Sequence, residues 1–244
     1  MNYKHMSLAL ALVLLTGCGG GSSSSHNDGK GDIDLAKYYP SESMGKRFST
    51  YSDSTDTGSY TEAIEVVGNK ITIKEGETVT EKIVFSDTNI TTTLFDSEDG
   101  NKVLSMYRHV DLGDTTLFEK IKDTTDTSFG NMIKNTTLTC MLKSKENELK
   151  KGIVYSHTGD LLKIECIDEG EIVYNVKADL IGVVSDDLNG SHAYYDKSYY
   201  YLEKGLGMVA SIDDNCIPNE KFSTVVDDRI ECTTKQYDYE FYLP

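Results

Sequence analysis

Tyr60–Phe85 reads YTEAIEVVGNKITIKEGETVTEKIVF, and its phasing decides the fold class. Glu62–Val67, rich in β-branched residues, ends at Gly68-Asn69. Lys70–Glu75 follows, with Ile71 and Ile73 alternating against polar neighbours, and Gly76-Glu77 turns the chain into Thr78–Phe85. Residues two apart share one face of a strand, and glycine beside a polar residue suits the turn between strands. Working outward, Asp87-Thr88-Asn89 leads into Ile90–Phe95, and the turn Asp96–Asn101 precedes Lys102–Val110. Five strands spaced by about ten residues predict an antiparallel meander with one buried and one wet face.

The remainder extends this pattern. Strands are expected at Asn135–Leu142, Gly152–Ser156, Leu161–Ile167, Ile172–Val184, His192–Leu202 and Met208–Ile212. In the first of these, Leu138, Cys140 and Leu142 share a face. The tail Lys235–Leu243 alternates Tyr237, Tyr239 and Phe241 and reads as a last strand. Thr115–Lys122 is expected as a short helix capped by Asp114, and Lys143–Lys151 as helix or loop. The expectation is an all-β, mainly antiparallel fold. A curved meander sheet forming an open or closed barrel would manage its edges best, and a two-sheet sandwich is the alternative.

The chain has 244 residues and a formal net charge of −16. Phosphate backbones and anionic lipid surfaces repel such a protein, so nucleic acid is not an expected partner. Much of this acidity reads as solvated, turn-rich surface.

The first residues read as an export leader. Lys4 precedes an apolar run, Leu8–Leu15, too short to cross a hydrocarbon core as a helix but of signal-peptide proportions. Leu15-Thr16-Gly17-Cys18 follows at once. These four residues resemble the lipobox of bacterial lipoproteins. The resemblance implies a diacylglyceryl group on the Cys18 thiol, cleavage of residues 1–17 before it, and often acylation of the new amino group. Each buried methylene contributes about 0.8 kcal/mol, so two or three chains on Cys18 hold a protein on a membrane far more firmly than one. Gly19, where an inner-membrane lipoprotein of the enterobacterial pattern has Asp, resembles the outer-membrane class. The implied location is the outer membrane facing the periplasm, with the cell surface as the alternative. Residues 18–31 then form the lipidated cysteine and a Gly/Ser tether, and 32–244 a single β-rich domain.

Cys140, Cys166, Cys216 and Cys232 remain. An even number in an exported chain implies two disulfides, and Cys140–Cys166 with Cys216–Cys232 is the favoured pairing of three. No Cys-x-x-Cys or His-rich spacing suggests a metal or a redox site, and no cofactor is expected.

Catalytic signatures are sparse. His5, His26, His109, His157 and His192 are scattered. The pairs Asp186-Asp187, Asp213-Asp214 and Asp227-Asp228 lie in turn-like contexts. The most concentrated feature is Tyr194-Tyr195 followed by Tyr199-Tyr200-Tyr201, a candidate ligand surface. It runs into Tyr200–Val209, YYLEKGLGMV, which resembles a strand–turn–strand phrase of β-rich envelope lipoproteins of unknown function. The glycines there permit a tight hairpin or bulge. These features point to a non-enzymatic binding or scaffolding module with an envelope protein or apolar ligand as partner. A carrier or chaperone for lipid and an envelope hydrolase are the alternatives.

Overall fold

The computed structural model describes residues 31–52, 55–96, 100–127, 130–151, 155–177, 189–216, 223–226, 229–232 and 235–243; of these, residues 51, 52, 55–57, 96, 100–102, 127, 151, 155 and those from 213 onward enter by backbone alone. In chain order the strands are β1 Ile33–Asp34, β2 Met44–Ser52, β3 Thr55–Val67, β4 Lys70–Glu75, β5 Thr78–Phe85, β6 Asn89–Asp96, β7 Gly100–Tyr107 and β8 His109–Val110. They continue with β9 Thr115–Thr127, β10 Gly130–Lys151, β11 Tyr155–Val176, β12 Gly190–Glu203, β13 Gly207–Cys216, β14 Ser223–Val226, β15 Arg229–Cys232 and β16 Lys235–Leu243. A 3-10 turn, Leu35–Tyr38, follows β1. No helix among the described residues is long and apolar enough to cross a membrane.

Twelve strands form one antiparallel sheet in the order β7-β6-β5-β4-β3-β2-β16-β13-β12-β11-β10-β9. It consists of two meanders joined by the tail, because β16 pairs with β13 on one side and β2 on the other. The end strands β7 and β9 approach each other but are not paired among the described residues, so the sheet is curled and open. One hydrophobic cluster joins Ile64, Ile71, Ile83, Ile90 and Leu104 of the first meander to Leu117, Leu142, Ile164, Tyr200 and Leu202 of the second. The two halves therefore bury a common concave face.

Residues 108–114 cross between the two end strands. Ile33 and Asp34 pair with Val110 and His109, and Leu35 and Tyr38 bury themselves in the common core. Arg108 holds this segment in place: Nε donates to Asp34 Oδ1 at 2.8 Å and Nη2 to Asp34 Oδ2 at 3.0 Å. The hydrogen bond from Arg108 draws the Asp34 carboxyl below its ordinary 3.8.

The meander expected from Tyr60 to Val110 is present, with the final run divided into β7 and β8. Other expectations are corrected. Thr115–Lys122 is strand rather than helix, part of β9, which pairs along β10 from Thr115↔Met141 to Thr127↔Gly130. Its many threonines favour that state, and Asp114 instead accepts from the Asp111 backbone in a turn. Lys143–Lys151 is also strand: it completes β10 against β11 through two register shifts. Leu161–Ile167 and residues 172–176 of the expected Ile172–Val184 belong to one strand, β11. Gly170, between them, is no turn. A Cβ there would lie 2.5 Å from the Asn135 carbonyl oxygen, so the glycine admits a close backbone approach inside the sheet. Residues 152–154 and 178–184 of the expected strands lie outside the described residues.

Cys140 and Cys166 face each other directly across β10 and β11, with Cα atoms 4.0 Å apart, and form a disulfide. The side chains of Cys216 and Cys232 lie outside the described residues, as do residues 1–30 with Cys18.

Candidate functional site

Phase along the first strands decides which charges are buried. On β2, Lys46 has the phase of Met44 and Phe48; on β3, Glu62 has the phase of Ile64; on β5, Glu81 has the phase of Ile83 and Phe85. The concave face is apolar, so these charges enter the core with their aliphatic neighbours. Lys46 stands opposite Glu62 across β2 and β3, and Glu81 stands opposite Ile73 across β4 and β5.

The three charges line one cavity of about 60 Å³. Its walls are Ile64, Ile71, Ile73 and Ile83 from the first meander and Tyr200, Leu202 and Met208 from the second, with Tyr39 and Pro40 across one side. At roughly 15 Å³ per water centre, that space takes about four waters. Tyr39, Glu62, Leu206 and Met208 are half-buried and form its rim.

The phrase Tyr200–Val209 builds one end of this cavity. Gly205 and Gly207 adopt φ of +78° and +79°, which permit the tight turn between β12 and β13. The turn presents two carbonyls to Lys46, which is only 2% exposed. Its ammonium donates to Leu206 O at 2.9 Å and to Met208 O. A Cβ on Gly207 would press on Pro40 Cδ at 3.2 Å, at the cavity wall.

Burial dominates the electrostatics. Desolvation pushes the Glu81 carboxyl up to about 8, and the charge of Glu62 adds to it. Glu62 itself is raised by burial and by Glu75, against a downward pull from Lys46. Burial lowers the Lys46 amine to about 8, opposed by Glu62 and Glu203. The Tyr39 phenol is raised by burial and then by Glu81. Tyr39, Glu81, Glu62, Lys46 and Glu203 thus influence one another electrostatically.

Glu203, whose charge acts on Lys46, also meets a histidine. His157 Nε2 lies 2.5 Å from Glu203 Oε2, with side chains 11% and 16% exposed. Gly159 makes room for that carboxylate, because a Cβ there would sit 2.3 Å from Glu203 Oε1. Tyr38 OH reaches Asp160 Oδ1 at 3.3 Å beside it. The other described histidines stay apart. His192 pairs with Ile172 near the far end of β11 and its ring meets Tyr174 edge-on at 5.8 Å, while His109 stands on β8.

The five tyrosines divide between the two sides of β12. Tyr200 is buried in the common core and lines the cavity. Tyr199 and Tyr201 pack with Leu149, Leu161, Val209 and Ile212 on the opposite side, and the Lys163 ammonium lies 4.4 Å and 5.7 Å from their rings. Tyr194 meets Lys134 at 4.5 Å, and Tyr195 is exposed. Near Tyr199, Glu165 pairs with Lys143 at 2.8 Å and Lys197 at 2.7 Å. These two pairings outweigh burial and draw the Glu165 carboxyl below its ordinary value.

Asp213-Asp214 lies in β13 rather than in a turn, opposite Ser198 and Lys197. Asp186-Asp187 and Asp227-Asp228 lie outside the described residues. Among the described residues, no three His, Cys, Asp or Glu side chains are arranged to hold a metal ion.

No family model, curated protein or solved structure matches this chain. The site therefore rests on its own geometry. The sequence-level candidates included Tyr200 and the glycine phrase but missed Lys46, Glu62 and Glu81. Their signal was present, since each occupies a hydrophobic phase of its strand.

Proposed function

We propose that the chain is a lipid-anchored envelope protein whose β-domain is a non-enzymatic binding module, with the cavity at Lys46, Glu62 and Glu81 as its recognition site. The observation that carries this reading is the cavity's composition. Binding sites combine apolar walls with a few convergent polar groups, and here the buried Lys46 and Glu81 and the half-buried Glu62 meet aliphatic and aromatic walls in one space. A lipid carrier is less favoured, because an acyl chain in this space would lie against Lys46, Glu62 and Glu81 and offer them no polar partner. The lipobox resemblance at Leu15–Cys18 supports the anchor, and Gly19 in place of Asp supports the outer membrane, where the domain is proposed to face the periplasm. The second disulfide, Cys216–Cys232, belongs to the same proposal.

Two measurements test the proposal. In a bacterial host, wild type should take up a palmitate label and fractionate with membranes, and Cys18→Ala should do neither. Unchanged fractionation of the variant would remove the anchor. For recognition, isoleucine methyl spectra of the protein are recorded with low-molecular-weight envelope extract. Shifts centred on Ile64, Ile71, Ile73 and Ile83 are expected, and silence at all four would sink the cavity as a binding site.

A second reading, an envelope hydrolase, is favoured by the His157–Glu203 pair, since a carboxylate that orients an imidazole is one part of a general base. Turnover of an ester or amide substrate by wild type, abolished in His157→Gln, would replace the first reading with this one.

A further inference from the structure

We propose that the cavity takes a small organic cation, an alkylammonium of about four heavy atoms, with its charge set against the carboxyl of Glu81. This rests on the reading of the cavity as a binding site and adds the chemical class of its ligand.

The first observation is Glu81 itself. It is only 8% exposed and lines the cavity, and its carboxyl makes no hydrogen bond or ion pair among the described residues. A buried carboxyl in that condition is costly unless neutral or given a partner. The cavity's own cation does not supply one, because Lys46 Nζ is turned to the carbonyls of Leu206 and Met208.

The second observation is the charge around that space. Glu62 from β3 is a second lining carboxylate, and its charge acts on Glu81. Glu75 on β4 acts on Glu62, and Glu203 on β12 acts on Lys46, with His157 of β11 behind it. Tyr39 completes the set from the N-terminal segment. Acids outnumber bases here, and the whole chain carries −16, so the field draws cations in.

The third observation is the wall. Aromatic rings attract cations, and Tyr39 and Tyr200 line the same space as four isoleucines that would cover an alkyl chain. Because burial holds the Glu81 proton up to about 8, a bound cation that supplies the missing counter-charge would release that proton at neutral pH.

The probes are propylammonium and 1-propanol, which match in heavy-atom count and shape and differ in charge. Each is titrated at pH 7 into the full chain labelled at isoleucine methyls, and calorimetry in two buffers of unlike ionisation heat counts protons. Propylammonium is expected to shift Ile64, Ile71, Ile73 and Ile83 saturably, about tenfold more tightly than 1-propanol, with release of up to about one proton. Glu81→Gln should erase the preference and the proton release. Glu81→Asp, which keeps the acid, should retain proton release with weaker binding, so loss through misfolding is told apart. Equal binding of the two probes would overturn the cation inference while leaving the cavity a binding site. No shift with either probe would overturn both.

Discussion

Replacing Glu81 by Gln removes one titrating group from a wall of aliphatic side chains and should change how stability depends on pH. Burial raises the folded-state carboxyl from 4.5 to about 8. Between those values the folded protein keeps a proton that the unfolded chain has released. The free energy of unfolding then falls by up to about 1.4 kcal/mol per pH unit. This contribution is fully present below pH 4.5 and is lost as pH rises through about 8. The loss is on the order of 3 kcal/mol by pH 7. Gln keeps the shape of the neutral acid and does not titrate. Wild type and Glu81→Gln should be about equally stable near pH 4.5, with the variant ahead by about 3 kcal/mol at pH 7. Lys46 works in the other direction higher up. Its amine falls from 10.5 to about 8, so the folded state binds fewer protons than the unfolded state between those values and regains stability as pH rises. Both proteins should show that rise. Urea unfolding from pH 4.5 to 9 can be followed by tyrosine fluorescence, since the chain has 16 tyrosines and no tryptophan. Parallel stability curves for the two proteins across that range would refute the buried placement of Glu81.

Three further outcomes are expected. Cys140→Ala with Cys166→Ala frees a loop spanning a separation of 26, which in the chain-entropy account costs about 3.5 kcal/mol; a urea-unfolding loss under about 1 kcal/mol would contradict it. Gly159→Ala should displace the Glu203 carboxylate from His157 and lower stability by about 1–3 kcal/mol, and an unmoved His157 imidazole resonance would show that the contact survives. Arg108→Lys breaks the two-pronged contact with Asp34 and should cost about 1–2 kcal/mol at pH 7. Because Arg108 depresses the Asp34 carboxyl, that contribution is present above 3.8 and fades as pH falls below it, so wild type and variant should converge in acid unfolding.

Much of the fold was legible because alternation is a local property. Ile71 and Ile73, or Leu138, Cys140 and Leu142, mark a buried face without knowledge of what covers it. The errors fell where local signals compete. Asp114 before Thr115 has the form of a helix cap, yet the threonines that follow favour strand, and pairing with β10 along the whole segment decides the outcome. Gly170 has the form of a turn signal, yet it lies inside β11 because two backbones pass too closely there for any side chain. The site was half legible. Tyr200 and the Gly-x-Gly phrase stood out by composition, whereas Lys46, Glu62 and Glu81 stood out only by phase.

By itself the sequence determined the strand-rich fold class, the lipobox resemblance and the acidity, because each is written in neighbouring residues or in their sum. Tertiary structure alone decided that β16 returns to lie between β13 and β2, and that two meanders curl around one core. It also decided that charges on three strands of the first meander line a single cavity closed by residues of the second. Which strands become neighbours depends on long-range pairing and on burying a shared apolar face, and no local run of residues encodes that choice.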